Sequence, residues 1–390
     1  MDWLCFSLSH FKIQTEKGII MNIIELHIIQ SFPVTCLNRD DLGSPKSAFF
    51  GGVQRARISS QCWKRPIREM AHEAAPQLFA GTRSRLVGSA VENAAVEAGL
   101  DEKLAHAYSS VICQLLKEDD KEVGVVKTLL YFSPASIKNV VCDIQSLGVL
   151  TQDIADKIIS DDEKTASKAL DKLLKDKQLK NVLKGLGRQV DDAADIALFG
   201  RMVADDASQT VEGAAMFSHA ISTHSVRNDL DFFSAVDDLK VDADDAGAGH
   251  IGTTEFNSAC YYRYVGINLD LLRESNLFDQ KEIRVVLENF IRACVMANPV
   301  ARRNAMFGYT LPSCVLGLRR QGQPLSLANA FEKPVQSNGS GIVASSIEKM
   351  KEEWKSLQET FGLSADAEIS VEKGGEKLDA MINKLLEGIK

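Results

Sequence analysis

No apolar run in this 390-residue chain approaches the roughly 18 residues that a membrane-spanning helix needs. The first twenty residues carry Trp3, Leu4 and Phe6 but neither a basic leader nor a long apolar stretch, so they do not read as a signal peptide. The eight cysteines form no C-x-x-C pair, which argues against a zinc or redox motif and for reduced, mostly buried thiols in a cytoplasmic protein. Positive charge is in deficit: 45 Lys and Arg face 53 Asp and Glu, a net charge of -8. What remains is ordinary soluble-protein composition, 45% hydrophobic and 25% charged, with enough length for a large core and two or three domains.

Against that acidic background one stretch stands out. From Arg39 to Arg68 the cations Arg39, Lys46, Arg55, Arg57, Lys64, Arg65 and Arg68 face only Asp40 and Asp41, a local balance of +5. A cationic block in an acidic chain is the electrostatic footprint of a polyanion partner. Gly51 and Gly52 permit a tight reversal between two short extended runs. Ser59 or Ser60 then caps a helix whose Trp63, Ile67, Met70 and Ala74 face a core. Gln61, Lys64 and Arg68 share another face of that helix. Hydroxyls, an amide and two cations at a helix N-terminus suit phosphates; the plain alternative is a solvated helix face. Pro66 lies past the first turn if Ser60 starts the helix, at a cost of about 3 kcal/mol or a kink. A later start would remove that conflict.

Elsewhere the periodicities give an α+β protein. Ile24, Leu26 and Ile28 alternate with Glu25 and His27 as a strand ending before Pro33. A helical region follows over about 90–200, with Ser133-Pro134 as a cap and Pro at the first helical position. Residues 160–185 read as an exposed amphipathic helix pair, and 216–221 as sheet or core. The acidic segment 226–255 reads as a protruding hairpin before a strand over 261–269. A helix over 281–297, a final core strand over 314–318 and helices over 343–361 and 376–389 complete the chain. Met21 is the expected start, with residues 1–20 an over-called extension.

Three chemical motifs fail on context. Gly247-Ala-Gly249-His-Ile-Gly252 matches G-x-G-x-x-G but follows acidic residues and opens no helix, so it is no dinucleotide site. His219 and His224 are five apart, unlike two ligands on one helix face, and read as core or surface histidines. Asp40 and Asp41 could serve a metal-dependent endoribonuclease, but they read better as turn caps or partners of Arg39. No cofactor, metal or catalytic residue is assigned.

The ordered set of local patterns resembles one family. Cys36-Leu-Asn-Arg-Asp-Asp41, the Phe50-Gly-Gly52 turn and Arg57-Ile-Ser-Ser-Gln61 with Trp63-Lys64-Arg65 are similar to the CasC-type backbone subunits of Cascade, the type I-E CRISPR surveillance complex. The similarity continues through Asp195-Ile-Ala-Leu-Phe-Gly-Arg-Met202, Asp231–Leu239, Gly252–Phe256, Tyr262-Arg-Tyr264 and Pro324–Lys333. The resemblance implies an RRM-like (ferredoxin-like) palm over 21–85, 201–225 and 259–390, the last part including C-terminal helices. It implies a helical fingers insertion over 86–200 and a thumb hairpin over 226–258. It implies a protein that coats CRISPR guide RNA without cutting it and stacks head to tail with its own copies. Target DNA would pair through the guide, beside other Cascade subunits and a recruited helicase-nuclease or other nuclease. Arg39, Lys46, Arg55, Arg57, Ser59, Gln61, Lys64 and Arg68 would hold the ribose-phosphate chain. Met202, Phe232 and Phe233 would act as wedge and thumb groups, stacking on or displacing bases. A general single-strand RNA-binding protein is the remaining reading.

Overall fold

The computed structural model describes residues 20–116, 125–126, 129–183, 192–201, 210–235, 250–275 and 280–389. Met202, residues 236–249 with the first two glycines of the G-x-G-x-x-G match, and the N-terminal 19 residues lie outside them. The strands are β1 (Met21–Thr35), β2 (Ser47–Phe50), β3 (Val53–Ile58), β4 (Thr82–Ser84), β5 (Leu130–Phe132), β6 (Ala215–Phe217), β7 (Ala220–Ser222), β8 (Asp229–Ala235), β9 (His250–Asn268), β10 (Cys314–Gly322) and β11 (Ala367–Glu372). The helices are α1 (Ser60–Ala74), α2 (Val87–Glu97), α3 (Glu102–Leu115), α4 (Pro134–Leu147), α5 (Gln152–Ile158), α6 (Glu163–Leu174), α7 (Lys177–Leu183), α8 (Ala194–Phe199), α9 (Leu269–Glu274), α10 (Ile283–Met296), α11 (Ile342–Phe361) and α12 (Leu378–Leu385).

One antiparallel sheet organises the chain, in the order β11-β10-β1-β9-β7-β3-β2, with β6 and β8 also paired to β9. The central strand β1 is buried on both faces, so its period-two pattern does not separate core from solvent. Ile24, Leu26 and Ile28 face a core shared with α1, α8, α10 and α12. Ile29, Tyr262, Tyr264 and Leu316 face a second core under α11. Glu25 and His27, the polar half of the pattern, are fully enclosed on that second face. Glu25 accepts from the Arg320 guanidinium, from the Tyr264 hydroxyl at 2.8 Å and from the Leu325 N–H at 2.8 Å. His27 Nδ1 lies 3.0 Å from the Tyr262 hydroxyl, and its Nε2 has no partner.

Burial, reinforced by Arg320, pushes the His27 pKa down to about 3 from 6.5. The unfolded chain therefore takes up this proton below about pH 6.5 and the folded chain only towards pH 3. Stability is expected to fall as pH falls through that window, by about 2 kcal/mol at pH 5. Urea midpoints at neutral and acid pH check this: His27→Gln should be less acid-sensitive than the native chain, and equal sensitivities would contradict it.

Several boundaries differ from the periodicity reading. Strand β1 runs through Pro33 rather than stopping before it, and its register against β9 shifts between Phe32 and Thr35. The exposed proline sits at an irregularity, where no ladder donor is required. Strand β10 is not the last: β11 pairs beyond it along Cys314–Arg319. The long helical region is interrupted by the β4–β5 ribbon. Helices α2 to α7 share a separate hydrophobic core spanning Val87 to Leu183. Ser133 caps α4 through a reciprocal bond pair with Ser136, with Pro134 at the first helical position, as its sequence implies. The seven cysteines among the described residues are free thiols, five of them buried.

Candidate nucleic-acid interface

Strands β2 and β3 form a hairpin closed by Gly51 and Gly52, both at positive φ. Only glycine fits at Gly51, since a Cβ there would lie 1.7 Å from the Glu332 carbonyl oxygen. The same contact explains Arg55, which corrects the sequence assignment. Arg55 is fully buried and donates to the carbonyls of Phe50, Ser222, Phe331 and Glu332 at 2.8–3.2 Å. It is an internal clamp between the hairpin and the Ala328–Glu332 turn: four of its five N–H groups are spent on carbonyls, and the fifth is enclosed with the rest of the side chain. The Phe50-Gly-Gly52 and Ala328-Asn-Ala-Phe-Glu332 runs are thus two sides of one contact.

Arg57 stays half-exposed on the same strand, its Nη1 3.4 Å from His219 Nδ1. Lys46 is half-exposed beside it, its N–H bonded to the Asn38 carbonyl. Arg39 is exposed at the far end of this loop, bridged through its backbone to Pro45. Asp40 caps the loop: its Oδ1 accepts from the N–H groups of Leu42 and Ser44, both at 2.9 Å. Asp41 is exposed.

Helix α1 begins at Ser60 with Ser59 at the N-cap position, as the sequence implies, and keeps Pro66 inside it, buried, so the conflict is not removed by a later start. Trp63, Ile67 and Ala71 form the buried stripe; Met70 is half-buried, and Ala74, expected in the core, is exposed at the last turn. Ser59 occupies the N-cap, but its side chain makes no capping bond. Gln61 is exposed, and Lys64 and Arg68 are half-exposed on the next turns. The Lys64 ammonium lies 5.2 Å from the centre of the Phe217 ring. Burial lowers the Lys64 pKa, and the nearby Arg83 lowers it further. Arg68 is partly committed internally: it donates to the Gly81 carbonyl at 3.2 Å and lies over Tyr131.

Arg83 is the functional candidate that sequence reasoning missed. It is exposed on β4, and its guanidinium lies over the Tyr131 ring at 4.6 Å. The Tyr131 hydroxyl donates at 2.7 Å to Asp195, a buried carboxylate that also receives the N–H groups of Gly81 and Ile196. Burial raises the Asp195 pKa, opposed first by Tyr131 and then by Arg68. Asp195 therefore ties α8, Gly81 and the ribbon to the base of α1. Nothing in the local sequence of Arg83 distinguishes it; only the β4–β5 ribbon, itself unforeseen, brings it to Lys64.

The result is a continuous cationic band of Lys46, Arg57, Lys64, Arg68 and Arg83, with Ser59 and Gln61 at its middle. Below it, Arg263 is buried with its guanidinium 4.1 Å from Trp63 and donates to the Cys294 carbonyl at the C-terminal end of α10. On the β8–β9 hairpin, Phe232 is 65% and Phe233 41% exposed, and Phe233 packs over Gly252. The two histidines diverge. His224 bonds the Ser225 carbonyl and the Cys260 N–H, while His219 meets Ser60 and Arg57. Among the described residues no three His, Cys, Asp or Glu side chains group as metal ligands, and no helix is long and apolar enough to cross a membrane.

A sheet-centred mixed α/β fold of this kind is that of CRISPR surveillance-complex chains. The chain is 27% identical to a chain of a "CRISPR RNA-guided surveillance complex, pre-nicking", with a TM-score of 0.76 over 94% of this chain and 100% of that one. A chain of another "CRISPR RNA-guided surveillance complex" shares the fold at 24% identity and a TM-score of 0.63, over 93% and 98%. No curated protein matches. The profile of the CT1975-like protein family covers residues 24–388, and the chain belongs to that CRISPR-associated family. The resemblance to CasC-type Cascade backbone subunits is thereby borne out.

Proposed function

We propose that this chain is a non-catalytic backbone subunit that coats CRISPR guide RNA, its copies stacked head to tail, and presents the spacer for pairing with target DNA. The observation that carries the reading is the agreement in fold, from end to end, with a chain of an RNA-guided surveillance complex. The cationic band supplies what such a carrier requires, because phosphate contacts position a strand without reading its sequence. Specificity is then left to base pairing. The strand order β10-β1-β9-β7, with α1 and α10 on one face, supports an RRM-like palm. The helices with their own core support a fingers unit, and the β8–β9 hairpin a thumb. Other surveillance-complex subunits and a recruited nuclease complete the assembly in the cytoplasm.

The test is co-expression with a CRISPR array and its neighbouring genes, followed by native mass measurement and sizing of bound RNA. A multi-copy particle with one discrete guide is expected. An RNA-free monomer, or a chain carrying random RNA, would overturn the reading, the latter in favour of a general RNA-binding protein. The ribonuclease alternative is checked in the same preparation. Bound RNA should stay intact with magnesium, and Asp40→Ala and Asp41→Ala should change nothing, since Asp40 already serves its turn.

Salt dependence gives a second check. Binding of single-stranded RNA is expected to weaken with salt by a log–log slope of about -0.7 per neutralised phosphate. Lys64→Ala should remove about one such contact per copy, read by fluorescence anisotropy across a salt series. An unchanged slope would place Lys64 off the strand.

A further inference from the structure

The N-terminus of α1 has an unusual cap. Ser59 holds the N-cap position and is nine-tenths buried, yet its hydroxyl has no partner among the described residues. The capping acceptor comes instead from another element. Strand β3 pairs with β7 in the register Arg57↔Ile221 and Ile58↔Ala220, which carries His219 alongside Ser59 and Ser60. His219 Nδ1 then lies 3.3 Å from the Ser60 N–H and 3.4 Å from Arg57 Nη1. Both neighbours are donors, so Nδ1 must be the unprotonated nitrogen and Nε2 must carry the hydrogen. The ring is exposed, and its Nε2–H has no acceptor among the described residues. The ring stands between Arg57 and the first residue of α1, at the helix end that carries Ser59.

We infer that His219 is a phosphate-binding residue of this interface, locked by Arg57 and Ser60 in the tautomer that offers Nε2–H to a phosphodiester oxygen alongside the Ser59 hydroxyl. The inference rests on the proposed RNA-coating function and adds a residue to it. Burial lowers the pKa of the ring below the usual histidine value, and Arg57 and Lys46 lower it further. A second proton would have to enter at Nδ1, against the Ser60 N–H and the Arg57 guanidinium, so the neutral Nε2–H ring is the form that binds. The His219 contribution to affinity should therefore be constant across neutral pH, with no proton taken up on binding.

The experiment uses the full chain, a fluorescein-labelled single-stranded RNA, and inorganic phosphate as the probe for simple anion binding. His219→Leu is expected to weaken RNA binding about tenfold at neutral pH, the effect of losing one hydrogen bond to a charged group. The loss should be the same across neutral pH, because the binding form carries no extra proton. His219→Asn, which keeps a donor and an acceptor, should retain much of the affinity. Long-range nitrogen–proton spectra of the native ring should show the Nε2–H form and should shift on adding RNA. Phosphate shifting the ring as strongly as RNA would mark an adventitious anion site and overturn the assignment. So would the Nδ1–H form, or His219→Leu binding RNA as the native chain does while Lys64→Ala binds more weakly. Were neither substitution to matter, the RNA-binding reading itself would fall.

Discussion

Arg55→Ala should destabilise the protein by about 3–5 kcal/mol and leave the RNA affinity of the surviving folded fraction intact. Arg55 is the most central cation of the basic stretch in sequence and the least available in space. Its guanidinium bonds four carbonyls from three separate segments, Phe50 on the hairpin, Ser222 on β7 and Phe331–Glu332 on the turn. Truncation leaves those acceptors enclosed and opens a side-chain-sized void. Lysine is no remedy, because one ammonium cannot span a fork that reaches three directions. The decisive pair of measurements is the urea midpoint and the RNA dissociation constant of the same preparation. A normal midpoint with lost affinity would return Arg55 to the strand-gripping set.

The second large effect concerns Glu25 and Arg320. Arg320→Met is expected to cost about 3–5 kcal/mol, since it leaves a carboxylate enclosed between β1, β9 and β10 without its cation. The Tyr264 hydroxyl and the Leu325 N–H remain, but two neutral donors do not replace a guanidinium. Adding Glu25→Gln should recover much of the loss, because the amide needs no counter-charge. If the double variant is as unstable as the single, packing rather than charge governs this site. A double-mutant cycle by urea denaturation separates the two.

These expectations show which parts of the molecule were open to sequence reasoning. Strong local signals carried through: the Ser133-Pro134 cap, the Gly51-Gly52 reversal and the Trp63–Ile67 stripe depend on neighbours in the chain. Signals that depend on distant partners did not. The alternation in β1 suggested a wet face, and the 325–335 segment and α11, about 300 residues on, make that face dry. Arg55 and Arg57 are two residues apart on β3 and so share a face of the strand, and composition cannot tell them apart. What separates them is that Phe331 and Glu332 come down over one and not the other. Arg83 and His219 were passed over for the same reason: each gains its place from a strand pairing, β4 with β5 and β7 with β3. The short β11 was legible in hindsight, since Ala367, Ile369 and Val371 alternate with Glu368, Ser370 and Glu372. It sits between two helices that drew the reading.

The β8–β9 hairpin has a bearing on how the unassembled chain meets proteases. All seven residues of β8 are exposed, and Leu230, Phe232, Phe233 and Ile251 leave a wide apolar surface in water. A two-stranded arm of this kind opens locally at little free-energy cost and presents an extended backbone to proteases. In the stacked assembly proposed above, a copy in place would hide that arm and a surplus copy would not. Limited proteolysis is therefore expected to cut the free chain first in this arm and to spare it in the assembled particle.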